Sequence, residues 1–153
     1  MNFNPDPQTE ERKRSAVALA KVLLAAKDHP TILRDHLREL LHALLWKTTE
    51  AECKSKNHKY ETRYQSQDAL KFRQKGNLRH EHVYPCEEMI NKLLAEPKRA
   101  EEIIEPSVGC TVTIAEHLRL HGVAGYGWER YRKAGIVAMD ISKNPPTPVD
   151  YSN

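Results

Sequence analysis

The sequence predicts an α+β protein, mostly helical, and three observations carry that expectation. Apolar residues recur at helical spacing through most of the first fifty positions. Alternating, β-branched character is confined to two short runs late in the chain. Proline and glycine punctuate the segments between them. The architecture expected is an N-terminal helical hairpin, a short two-stranded antiparallel β element, and a helix that follows it.

Taken in order, residues 1–8 are a Pro-containing lead. From Thr9 to about Ala26, Val17, Leu19, Ala20, Leu23 and Leu24 fall on one helical stripe. Thr9 is the expected cap, and Glu10 and Glu11 suit the positive end of the helix dipole. Pro30 is placed to open a second helix, in which Leu33, Leu37, Leu40, Leu41, Leu44 and Leu45 run to about Trp46. Residues 48–65 are polar and carry no clear period. Ser66 is expected to cap a helix from Gln67 to Lys75 that Gly76 stops. Leu78 to Tyr84 reads as a strand ended by Pro85. Short helices follow at Glu87–Leu94 and Lys98–Ile104. Val108 to Thr113 alternates and reads as the second strand. Thr113 and Glu116 then form a capping box for a helix from Ile114 to His121. A short helix from Trp128 to Ala134 and an extended, poorly ordered Pro145–Pro148 tail complete the chain.

The 153 residues fit one domain, with 9–76 a helical scaffold, 77–122 a strand–helix core with a helical insertion, and 123–153 a closing helix and tail. Apolar residues at 39 % and charged residues at 29 % are those of a folded chain. No run is long enough to span a membrane, and the N-terminus has no signal-peptide pattern, so a cytoplasmic protein is expected. Cys53, Cys86 and Cys110 are odd in number and far apart, which argues for free thiols. The net charge of +3 is modest, but Lys54 to Arg79 concentrates Lys71, Arg73, Lys75 and Arg79 among Tyr60, Tyr64 and Phe72. Such a stretch suits a nucleic-acid backbone, and equally a solvated helical face.

The chemistry-bearing residues lie in two segments. His80 and His82 are two apart and share one face of a strand; His117 and His121 are four apart and share one face of a helix. Two pairs brought together in this way could hold a metal ion or place an imidazole for catalysis. His29, His36, His42 and His58 are read as surface or packing residues.

The run Glu81-His82-Val83-Tyr84-Pro85, followed by a strand and a helix bearing His117, resembles the ββα-metal (HNH, or His-metal finger) nucleases over residues 78–121. The resemblance implies a metal-dependent endonuclease. His82 would be the general base, Glu81 or His80 with His117 and His121 the ligands of a divalent ion (Mg2+ or Zn2+), and Arg79 or Arg119 a phosphate clamp. Phosphodiester hydrolysis needs such a base and such a cation. Two departures are visible: the interval between the strands is long and helical, and the family's middle Asn has no clear counterpart beyond Asn91. The competing readings are a non-catalytic zinc module closed by all four histidines, a small helical nucleic-acid-binding or interaction protein of phage or plasmid type acting through residues 54–79, and a metal-independent RNase using His82 and Arg79. Nothing in the sequence bears on oligomeric state.

Overall fold

The computed structural model describes residues 3–49, 58–74 and 76–151. Two helices open the chain, α1 (Thr9–Ala25) and α2 (Arg34–Thr49). They pack along a seam of Ala20 and Leu24 against Leu37, Leu41 and Leu45, all buried, and Ala16 is buried on the same helix as Ala20. The seam is narrower than the stripes read from the sequence, because the small alanines let the helices approach and leave Leu19, Leu33 and Leu40 more than half exposed. Thr9 is not the cap. Gln8 occupies that position without a side-chain bond to a helix N–H, and the turn before it is held by Asp6, which accepts from the Gln8 N–H and the Arg12 guanidinium. Helix α2 starts four residues beyond Pro30, after a turn in which the Ile32 N–H donates to the His29 carbonyl.

The β element is larger than the two strands expected. The strands β1 (Tyr64–Ser66), β2 (Leu78–His82), β3 (Gly109–Thr113), β4 (Ala138–Asp140) and β5 (Thr147–Pro148) form one mixed sheet in the order β2-β3-β1-β4-β5. β2 and β3 do pair antiparallel, with Leu78 opposite Thr113 and His82 opposite Gly109. β1 adds to β3 in parallel, and β4 and β5 continue antiparallel. The three extra strands are two or three residues long, too short to show a period. They are held by pairing and by the two-pronged Arg63–Asp140 contact, Nε to Oδ1 at 3.1 Å and Nη2 to Oδ2 at 2.7 Å. The tail segment expected to be loose contributes β5.

Helices fill the connections: α3 (Gln67–Lys71), α4 (Cys86–Ala95), α5 (Ala100–Ile104), α6 (Ile114–His121) and α7 (Trp128–Lys133). Ser66 caps α3 by accepting the Ala69 N–H at 2.9 Å, although the helix ends well before Gly76. The core has two lobes. One joins α1, α2, α4 and α5; the other is built on the sheet from Val83, Cys110, Val112, Leu120, Tyr131, Ile136 and Ala138, and Tyr84 packs against both. Among the described residues Cys86 and Cys110 take part in no disulfide, and no helix is long and apolar enough to cross a membrane. Cys53 and Lys75 lie outside the described residues.

Candidate metal centre

Strand β2 lies at the sheet's edge and sends alternate side chains to opposite faces, as a pleated strand must. His80 and His82 are buried; Arg79 and Glu81 are half-buried on the other face. The histidine pairs therefore do not converge as a foursome.

His80 and His82 face the end of α2. Trp46 stacks on His80 with ring centroids 5.0 Å apart and meets His82 edge-on at 4.5 Å. Gly109 makes room for this packing, since a Cβ there would come within 2.6 Å of His80 Cε1. Thr49 Oγ1 lies 3.0 Å from His80 Nε2 and 3.1 Å from His82 Nε2. His80 Nδ1 is 2.8 Å from the Lys59 carbonyl, which can only accept. His80 Nδ1 therefore donates to that carbonyl, and the Thr49 hydroxyl sits between the two Nε2 atoms and 3.3 Å from the Trp46 carbonyl, which can take its hydrogen. Burial, with the charges of His80 and His42 adding to it, lowers the His82 pKa to about 3 despite the nearby Leu45 carbonyl, so this imidazole is neutral at neutral pH.

Glu81 faces α6. The start of that helix is fixed by the capping box read from the sequence: Thr113 accepts the Glu116 N–H, and the Glu116 carboxylate accepts from the Thr113 N–H at 2.8 Å. Glu116 also takes the Ser66 hydroxyl at 2.6 Å, which ties α6 to the start of α3. With the helix started there, His117 and His121 are one turn apart on the Glu81 side, their ring centroids 4.3 Å apart. His117 Nδ1 lies 2.7 Å from Glu81 Oε2. One ligand atom from each of Glu81, His117 and His121 falls within 4.8 Å of the others. Two imidazoles and a carboxylate are a donor set for a divalent ion, and three protein groups leave coordination positions for water or substrate. Glu81 Oε1 accepts from Arg130 Nη2 at 2.5 Å.

These groups border one cleft of about 420 Å³, lined among others by His42, Trp46, His80, Glu81, His82, His117, His121 and Arg130. His82 reaches it because the strand ends there and the chain turns through Tyr84 and Pro85 into α4. Of the ligands expected from the sequence, Glu81, His117 and His121 are brought together; His80 is on the opposite face with both ring nitrogens engaged. Arg79 lies on the Glu81 face and donates to its neighbour's carbonyl, Leu78 O, at 2.8 Å. Arg119 is exposed on α6, and Asn91 is on α4, accepting from Arg38.

The basic segment is not a uniform stripe. Arg63 is paired with Asp140, and Arg73 with Glu61 at 3.7 Å and with Gln65 at 3.3 Å. Lys71 and Phe72 are exposed, the ammonium 5.0 Å from the ring centroid. Lys59 is exposed beside the cleft, 5.9 Å from the Trp46 ring centroid.

Sequence reasoning missed Trp46, Thr49 and Arg130. The first two sit three apart at the end of a helix whose period announced only its core, and Arg130 is one of several cations in a short polar helix. No local signal marked any of them. Comparison with protein-family models, curated proteins and solved structures finds no match.

Proposed function

We propose that this chain is a metal-dependent endonuclease that hydrolyses phosphodiester bonds, with Glu81, His117 and His121 as the ligands of a divalent ion and His82 as the proton acceptor. The observation that carries the reading is the Glu81–His117–His121 cluster in the wall of an open cleft that His82 also borders. When bound, the ion supplies Lewis-acid stabilisation of charge on phosphate and acidifies the attacking water.

The protein's own residues do the rest. Glu81 converges with His117 and His121 because its strand β2 pairs with β3, which runs straight into α6 through the Thr113–Glu116 cap. His82 offers a neutral ring at working pH, with Nε2 held 3.1 Å from Thr49 Oγ1, and its unprotonated nitrogen is the acceptor. With its pKa near 3 it is unprotonated at working pH but a weak base, so the bound ion would supply most of the activation of the water. Lys59 at the rim and Arg79 on the Glu81 face are the cations a phosphate approaching the cleft would meet.

A closed zinc module made of four imidazoles is disfavoured by the engagement of His80 with Lys59 and Thr49. The test is calorimetric titration of the purified chain with Zn2+ and Mn2+, paired with a plasmid-nicking assay. Uptake of one ion and ion-dependent nicking are expected, both lost in His117→Ala. Uptake without nicking of DNA or RNA would leave only a metal-binding module, and no uptake would overturn the reading.

A further inference from the structure

The Glu81 carboxylate is held at both oxygens, by His117 at Oε2 and by Arg130 at Oε1. The Arg130 side chain is only 9 % exposed, and its Nε meets no acceptor. A buried guanidinium with an unmet N–H is costly. Its position is set from outside the site. Tyr131, the next residue, is wholly buried, and Trp128 packs edge-on against it at 5.1 Å. Gly125, at φ +148°, lies along the arginine stem, where a Cβ would stand 3.5 Å from Arg130 Cγ.

We propose that Arg130 is the positioning residue of the metal centre. It pins Glu81 by Oε1, so that Oε2 alone is presented toward His117 and His121. A carboxylate free to turn about its last torsion, which is broad and two-fold, can offer either oxygen or both; one hydrogen-bonded at Oε1 from a fixed helix offers the other. The guanidinium also offsets the carboxylate's charge. The three donors and Arg130 then sum to near zero, and a bound divalent ion keeps its full charge toward an anionic substrate. Partners of this kind behind a ligand set both its orientation and the strength of the site. The inference rests on the metal-centre reading above.

The test uses the full chain with Arg130→Met, which removes donor and charge, and Arg130→Lys, which keeps an N–H donor close to the same reach toward Oε1. Zn2+ affinity is read by calorimetry, ligand geometry by the visible absorption of bound Co2+, and folding by near-ultraviolet circular dichroism. Arg130→Met is expected to bind Zn2+ roughly 10- to 100-fold more weakly and to shift the Co2+ bands. Arg130→Lys is expected to keep the wild-type bands and an affinity within a few-fold of wild type. Wild-type affinity and bands in Arg130→Met would make Arg130–Glu81 a structural ion pair and overturn the proposal, as would a folded Arg130→Lys whose bands match those of Arg130→Met. If Arg130→Met does not fold, the Arg130→Lys spectrum decides: altered bands in folded protein overturn the proposal. Wild-type protein that takes up no ion overturns the metal centre itself, whereas uptake with unaffected variants overturns the role of Arg130 alone.

Discussion

His82 is where the residue scale is most exposed to measurement. Folding holds its ring neutral with a pKa near 3, against 6.5 in the free side chain. Its contribution to stability is therefore complete above pH 6.5 and is lost as pH falls from there toward 3, by up to about 5 kcal/mol if the whole shift is realised. Urea melts of the metal-free protein should show this loss. His82→Gln, which cannot titrate, should have a flatter profile across the same window, and parallel profiles would remove His82 as the cause. The same substitution is expected to lower nicking by about two orders of magnitude, the usual effect of losing a general base. A loss of only a few-fold would leave the acidified water to act without it. The His82→Gln pair of measurements thus separates a packing histidine from a working one.

Among the elements, α6 matters most, because one helix carries two of the three ligands. Its register depends on Thr113 and Glu116, and Glu116 is buried with three oxygen- or nitrogen-bound hydrogens directed at one carboxylate oxygen, from Thr113 N–H, Thr113 Oγ1 and Ser66 Oγ. Thr113→Ala removes the cap and is expected to cost about 1–2 kcal/mol in denaturant unfolding. Because the first turn carries His117, it should also weaken Zn2+ binding measurably. Stability lost with unchanged metal affinity would show that the sheet, not the cap, holds α6 in place. β1 and β4 offer a second case. Burial raises the Asp140 pKa, but hydrogen bonds from Arg63 and Ser142 outweigh it and bring the group down to about 2. That contribution is present above pH 3.8 and fades as pH falls through 2.

Across the whole molecule, the two core lobes meet at Tyr84, which packs edge-on against Tyr126 at 4.9 Å. Gly127 is the neighbour that permits this: its φ is +65°, and a Cβ would lie 2.8 Å from Tyr84 Cε1. Gly127→Ala is expected to cost about 2–3 kcal/mol from backbone strain and a displaced ring, read as a lower melting temperature. It should weaken metal binding too, because α7 and Arg130 follow directly. An unchanged melting temperature would mean that the loop relaxes without disturbing the joint. Charge is the other property of the whole. Neutralising Lys59 or Lys71, both exposed, should flatten the salt dependence of nucleic-acid binding by roughly one unit per lost phosphate contact. Neutralising Arg73, engaged with Glu61 and Gln65, should alter stability and leave that slope alone. Equal slopes in all three variants would remove this segment as a nucleic-acid surface.

Local order by itself determined a good part of this protein. The helix α6 and its capping box, the α3 cap at Ser66, the strands β2 and β3, and the faces shared by His80 with His82 and His117 with His121 all follow from spacings of two to four residues, which backbone geometry converts directly into direction. Only the tertiary structure decided that the two histidine pairs stand on opposite sides of an edge strand, because a period of two fixes which residues share a face but not what each face meets. It also decided that Glu81, between the histidines, joins His117 and His121, that Thr49 and Trp46 engage His80 and His82, and that Arg130 closes the site from a helix 49 residues away. β1, β4 and β5 likewise exist through pairing with distant partners, since two or three residues bury too little surface to declare themselves alone.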